Sequence, residues 1–188
     1  LDRALYGAES MLSALLDIAR LAGGTIQPKR QAYSLHDLLN DLELQFKSIA
    51  AQRNIQLSVH DTRFWVDTDP QWMRRIIQNF VSNALRYTAQ GRVVVGVLRS
   101  AQRPNHIRIG VWDTGPGINE QQRVKLFQEF ERCGHTSPWG EQGLGLGLAI
   151  VQRMTSLLDF PVHVYSALGK GSCFMIEVPL AEAHKIEA

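Results

Sequence analysis

Leu1, Leu5, Ala8, Leu12, Leu15, Ala19 and Ala22 recur at alternating spacings of four and three, the seam of a heptad helix. Met11, Leu16 and Ile18 widen the stripe. A helix so apolar packs on its own domain or in a dimeric bundle, and the regular seam favours the bundle. Gly23-Gly24 ends it, so residues 1–24 read as one helical unit and 25–33, with Pro28, as a linker. Ser34-Leu35-His36-Asp37 resembles a capping box and starts a helix with Leu35, Leu38, Leu39, Leu42, Phe46 and Ile49 on one face. Ile55, Leu57 and Val59 alternate as a strand, and Phe64-Trp65-Val66 forms a second. Asp69 caps the next helix, with Pro70 at its first position. Its buried side carries Ile76, Ile77, Phe80, Val81 and Ala84.

Val93, Val95 and Val97 alternate as a strand, the polar stretch 100–105 makes a hairpin turn, and His106 to Trp112 returns to deliver Asp113. Asn119 caps a short helix through Val124 and Leu126, closed by Phe127 and Phe130. Residues 131–142 are polar and turn-rich, with Gly134, Pro138 and Gly140. A loop of that length inside a compact domain is usually functional. Gly143 to Gly147 then leads into an apolar helix through Ala149-Ile150-Val151. Val162 to Tyr165 and Ser172 to Val178 read as strands joined by Gly169-Lys170-Gly171. Pro179 ends the last strand, and 181–188 reads as a frayed tail.

The 188 residues suffice for one packed domain with an appendage. A formal net charge of +2 gives no reason to expect nucleic acid as a partner. No apolar run approaches the ~20 residues of a membrane span. The chain starts at Leu1 and reads as a piece excised from a longer protein, whose other parts could carry a membrane anchor. Cys133 and Cys173 lack metal-site spacing. Cys133 reads as a reduced cytosolic thiol in a polar loop, and Cys173 as a small core residue.

The chemistry concentrates between Asn79 and Gly147. Asn79 and Asn83 stand four apart on one helix face, with Arg86 nearby. An amide oxygen suits Mg²⁺, and a guanidinium meets phosphate. Asp113 ends an apolar strand at the turn Thr114-Gly115-Pro116-Gly117-Ile118. The run Gly143-Leu144-Gly145-Leu146-Gly147-Leu148 opens directly into a helix, where free N–H groups attract phosphate. It lacks the spacing of the dinucleotide fingerprint and the Lys-Ser/Thr of a P-loop. An acidic acceptor and a phosphate cradle together suit a purine nucleotide.

In their fixed order these motifs resemble the catalytic ATP-binding domain of sensor histidine kinases. Asn79 and Asn83 match the N box, Asp113 to Gly117 the first glycine box, Phe127-Gln128-Glu129-Phe130 the F box, and Gly143 to Gly147 the second glycine box. Gly171-Ser172-Cys173-Phe174 is similar to the closing Gly-Thr-x-Phe strand, with Ser for Thr. The resemblance covers residues 34–180 and implies an α+β fold: a two-layer sandwich, its mixed sheet covered on one face by helices. It implies that ATP and ADP bind at Asn79, Asn83, Arg86, Tyr87, Asp113, Gly115, Gly117, Ile118, Gly143, Leu144, Gly145, Leu146, Gly147, Leu148 and Ser172. Asp113 would accept the adenine amine, with Ser172 assisting through water. Asn83 would ligate Mg²⁺ beside Asn79, and 131–142 would be a lid that is mobile without nucleotide.

Residues 1–22 resemble the second helix of the preceding dimerisation hairpin. The resemblance therefore implies a cytoplasmic domain of a homodimeric kinase, with the phosphoacceptor hairpin and a response-regulator receiver as partners. The acceptor histidine would lie on the first hairpin helix. His36, His60, His106, His135, His163 and His184 all fall outside such a context, so no catalytic residue is expected in this chain. Two other readings compete. An ATP hydrolase of the related chaperone, topoisomerase and mismatch-repair group would need a glutamate at position 79, where a neutral amide is a poor base. A degenerate interaction module would lack the nucleotide-binding set.

Overall fold

A computed structural model of the chain describes residues 27–130, 137–140 and 145–182. The heptad segment, Cys133, His135, Gly143, Leu144 and His184 lie outside the described residues.

Four helices and seven strands are described. β1 (Gln31–Ser34) leads into α1 (Leu35–Gln52) and then β2 (Ile55–Val59) and β3 (Trp65–Thr68). α2 (Pro70–Tyr87) precedes the hairpin of β4 (Gly91–Arg99) and β5 (His106–Asp113). The short α3 (Glu120–Lys125), α4 (Gly147–Leu158), β6 (Val162–Ala167) and β7 (Gly171–Pro179) follow. The main sheet has the order β2-β4-β5-β7-β6, with β2 parallel to β4 and the other pairs antiparallel. This is the mixed sheet expected of the α+β sandwich.

The helices form where the sequence caps them. Ser34 accepts the amide of Asp37, Asp69 those of Gln71 and Trp72, and Asn119 with Gln122 completes a capping box. The apolar faces of α1, α2 and α4 close on the inner face of the sheet. Leu38, Leu42, Ile76, Phe80, Ile150 and Val151 bury there against Val95, Ile109 and Ile176. The rings of Phe80 and Phe174 lie 5.5 Å apart and tilted. On the opposite sheet face, Glu177 is buried beside Arg108 (2.7 Å), Arg103 (3.4 Å) and the His163 ring (3.6 Å). Burial alone would raise its carboxyl, but bonds from Arg108 and Ser100 hold it below the ordinary carboxylate range.

The structure departs from the sequence reading at both flanks. The end of the expected linker, residues 31–33, forms with Ser34 a strand paired antiparallel with β3. Four residues are too few for a period to show. Pro179 ends the last strand as expected, but the chain beyond it stays attached: Leu180 bridges Val66 and the Ala181 amide donates to Trp65 O (2.9 Å). Ala181, expected in a frayed tail, is buried.

Candidate nucleotide-binding site

Asp113 is the last residue of β5, the central strand, held between β4 and β7. Its Oδ1 accepts the amides of Gly115 (2.8 Å) and Ser172 (3.3 Å). Both bonds fall on one oxygen, leaving Oδ2 as an acceptor for a ligand. Desolvation pushes the carboxyl above its ordinary range, and the two amide bonds offset this only partly. The same burial, with the Asp113 charge nearby, lifts the Cys173 thiol to about 12. Cys173 is thus inert packing beside the site.

The turn after Asp113 is built on close approach. Gly117 has φ 71°, and a Cβ there would meet the Ala167 carbonyl. Gly171, with φ 86°, lies against the Asp113 carbonyl in the same way. Only glycine tolerates both that backbone and that contact. A Cβ on Gly115 would stand 2.8 Å from Asp113 Oδ1 and 3.3 Å from Thr88 Oγ1. Ile118 N donates to Ser166 Oγ (2.8 Å), which itself donates to Gly171 O (2.9 Å). Ser166 has one hydroxyl proton, so Ser172 Oγ, 3.0 Å away, donates to it. Ser172 then has only lone pairs to offer a water.

α2 supplies the amides. Asn79 Nδ2 donates to the Arg75 carbonyl (2.8 Å), and Asn79 Oδ1 sits where a Cβ of Gly147 would go. Among the described residues no such bond ties the half-buried Asn83 amide. Leu146, at the N-cap of α4, makes no side-chain capping bond, so side chains leave the first amides of α4 uncovered. The structure therefore brings Asn79 to Gly147, and Asp113 to Gly115 and Ser172.

Sequence reasoning missed two groups. Thr88 is fully buried, with its hydroxyl unpartnered among the described residues, beside the Gly115 turn. Ser166 links the turn to the end of β7; neither belongs to a motif, and a threonine or serine beside a turn gives no signal of its own. Two pockets, of about 310 and 190 Å³, lie at the opposite end of α4, around Asp159 to Pro161, and hold none of these residues.

A model of the histidine kinase-, DNA gyrase B- and HSP90-like ATPases matches residues 68–182. The chain belongs to this ATPase family. Its curated relatives include the autoinducer 2 sensor kinase/phosphatase LuxQ of Vibrio vulnificus, 30% identical over 177 residues and covering 91% of this chain and 21% of the relative. The sensor histidine kinase AruS of Pseudomonas aeruginosa is 33% identical over 185 residues, covering 94% and 18%. The chain thus spans about a fifth of the length of the curated relatives it matches. Full-length ShkA in complex with AMPPNP superposes with a TM-score of 0.79 at 29% identity, over 92% of this chain and 35% of that one. A mycobacterial sensor histidine kinase, MprB, does so at 0.66 and 25%, over 81% and 98%. Within the family's ATP-binding fold, the Asp113 turn and the Asn79–Gly147 contact occupy the matched region. No described helix is long and apolar enough to cross a membrane.

Proposed function

We propose that this chain is the ATP-binding catalytic region of a sensor histidine kinase, passing the γ-phosphoryl group of ATP to a histidine on a separate hairpin. The P–O bond to ADP breaks as a P–N bond to the imidazole forms. One observation carries the reading: the central strand ends on a desolvated Asp113 with a free oxygen, next to a helix of amides that meets a glycine-opened helix. Asp113 Oδ2 accepts the adenine amine, and Ser172 orders a water beside it. Arg86 and the amides of residues 145–148 face the phosphates, and Tyr87 and Ile118 flank the base.

Among the described residues no group of three or more His, Cys, Asp or Glu side chains could hold a metal. Mg²⁺ suits one amide oxygen completed by phosphate oxygens and water, which fits Asn83 better than Asn79, whose Oδ1 is pressed against Gly147 at the start of α4. Bound there, Mg²⁺ would neutralise charge developing on the phosphates. The neutral Asn79 amide cannot activate water, which argues against the hydrolase reading. The phosphoacceptor hairpin, a response-regulator receiver and a homodimeric parent are the partners this activity needs.

The chain should bind AMPPNP in titration calorimetry, yet with γ-labelled ATP acquire almost no label on its own histidines. Adding a dimerisation hairpin with its histidine should give acid-labile, alkali-stable label. Rapid phosphate release by the chain alone would favour the hydrolase.

A further inference from the structure

The last carbonyls of any helix lack partners within it. At the end of α2 they are taken up from two distant segments. The Arg53 guanidinium, just beyond α1, donates to Leu85 O (3.1 Å). Ser137 Oγ donates to Arg86 O (3.1 Å) and accepts the Trp139 amide (3.2 Å). Gly140 N donates back to Ser137 O (3.1 Å), closing a tight turn around Pro138 and Trp139. The Trp139 ring packs on the core, with the Arg53 guanidinium 5.5 Å from its centroid. A fifth bond lies nearer the glycines: Phe130 N donates to Gly145 O (3.1 Å), from a backbone held at φ 63°. That conformation is rare for a bulky residue and marks a fixed junction between the F box and the second glycine box.

We infer that Ser137, Trp139 and Arg53 form an anchor that positions the nucleotide-binding end of α2, so that affinity depends on residues which do not themselves touch the nucleotide. The inference rests on the nucleotide reading above. Its physical basis is pre-organisation. A helix end whose last carbonyls are already held from Arg53 and Ser137 has less freedom left to lose when ligand arrives. A guanidinium at a helix C-terminus is also well placed against the helix dipole. The anchored carbonyls belong to Leu85 and Arg86. The anchor therefore acts on the turn that carries Arg86 and Tyr87, adjacent to Asn83.

Trp139 Nε1 is buried and has no partner among the described residues. The ring, rather than its N–H, is what the anchor uses. This separates an anchor from a polar contact.

The test is AMPPNP titration calorimetry on the 188-residue chain. Trp139→Ala should weaken binding about tenfold, from loss of ring packing and the cation–π contact. Trp139→Phe, which keeps a ring under Arg53, should stay within about twofold. Ser137→Ala, which removes only the hydroxyl, should weaken binding about threefold and carries the test if Trp139→Ala does not fold. Circular dichroism melts establish that each variant is folded at the titration temperature. Folded Trp139→Ala and Ser137→Ala binding like the parent would overturn the anchor. Trp139→Phe as weak as Trp139→Ala would overturn the role of the ring. Failure of the parent chain to bind AMPPNP would overturn the nucleotide reading and the anchor with it.

Discussion

Asp113 was legible from the sequence because a strand of alternating Ile107, Ile109 and Val111 led straight to it and a glycine turn followed. What the sequence could not convey is its electrostatic state. Desolvation raises its carboxyl in the folded protein. Its folded value lies above its unfolded one, so its contribution to stability is present at low pH and is lost as pH rises through the raised value. On the proposed function nucleotide binding should have the opposite dependence, because an adenine amine would favour the carboxylate. Affinity should fall as pH drops through the raised range, with proton release on binding there. Calorimetry in buffers of differing ionisation enthalpy measures that proton. Asp113→Asn, which presents a donor to the amine, should bind roughly ten- to a hundredfold more weakly and lose this pH dependence. Phosphate titration is common to both proteins and cancels in the comparison. An unchanged pH profile in the mutant would dissociate Asp113 from base recognition. Thr88 and Ser166 stayed hidden for a different reason: Thr88 matters through Gly115, 27 residues on, and Ser166 through Ile118, 48 residues back, and through its partners across the β6–β7 pair.

Among the elements, every strongly patterned segment among the described residues formed as its sequence implied, because caps and apolar periods agreed locally. Asp69-Pro70 starting α2 and Asn119 starting α3 are instances. β1 was missed because it exists only through β3. The turn of Ser137 to Gly140 was expected only as part of a mobile lid, since its partner on α2 is the Arg86 backbone carbonyl, which sequence does not display. The Asn79–Gly147 contact joins two motifs that sequence treats separately. Gly147→Ala would drive a methyl into Asn79 Oδ1, and the Asn79 amide would have to swing away from its bond to Arg75 O. A loss of about 1–3 kcal/mol in urea denaturation is expected, together with weaker nucleotide binding. Undiminished stability and affinity would mean that the Asn79 side chain yields freely at this point.

Taken as a molecule, the order of motifs predicted the sandwich, whereas the closure of its ends came only from structure. The incoming flank and the outgoing flank both grip β3. Lys29 N donates to Asp69 Oδ2 (2.8 Å), Arg30 pairs with Asp67 (2.7 Å), and Leu180 and Ala181 hold Val66 and Trp65. Asp69 is at once the end of this clasp and the N-cap of α2. Asp69→Ala should therefore cost about 1–2 kcal/mol, the upper range for an N-cap, read as a lowered denaturation midpoint with unchanged slope. A midpoint equal to the parent's would show that the cap and clasp are redundant. In mechanical terms, β3 is a grip at one end of a rod about 27 Å long, and Asn83, Arg86 and Tyr87 ride at the other. A twist or pull arriving through either neighbouring segment is delivered to the same fulcrum. Such a load falls first on the small β1–β3 sheet and the start of α2, and only after them on the five-stranded sheet whose central strand ends on Asp113.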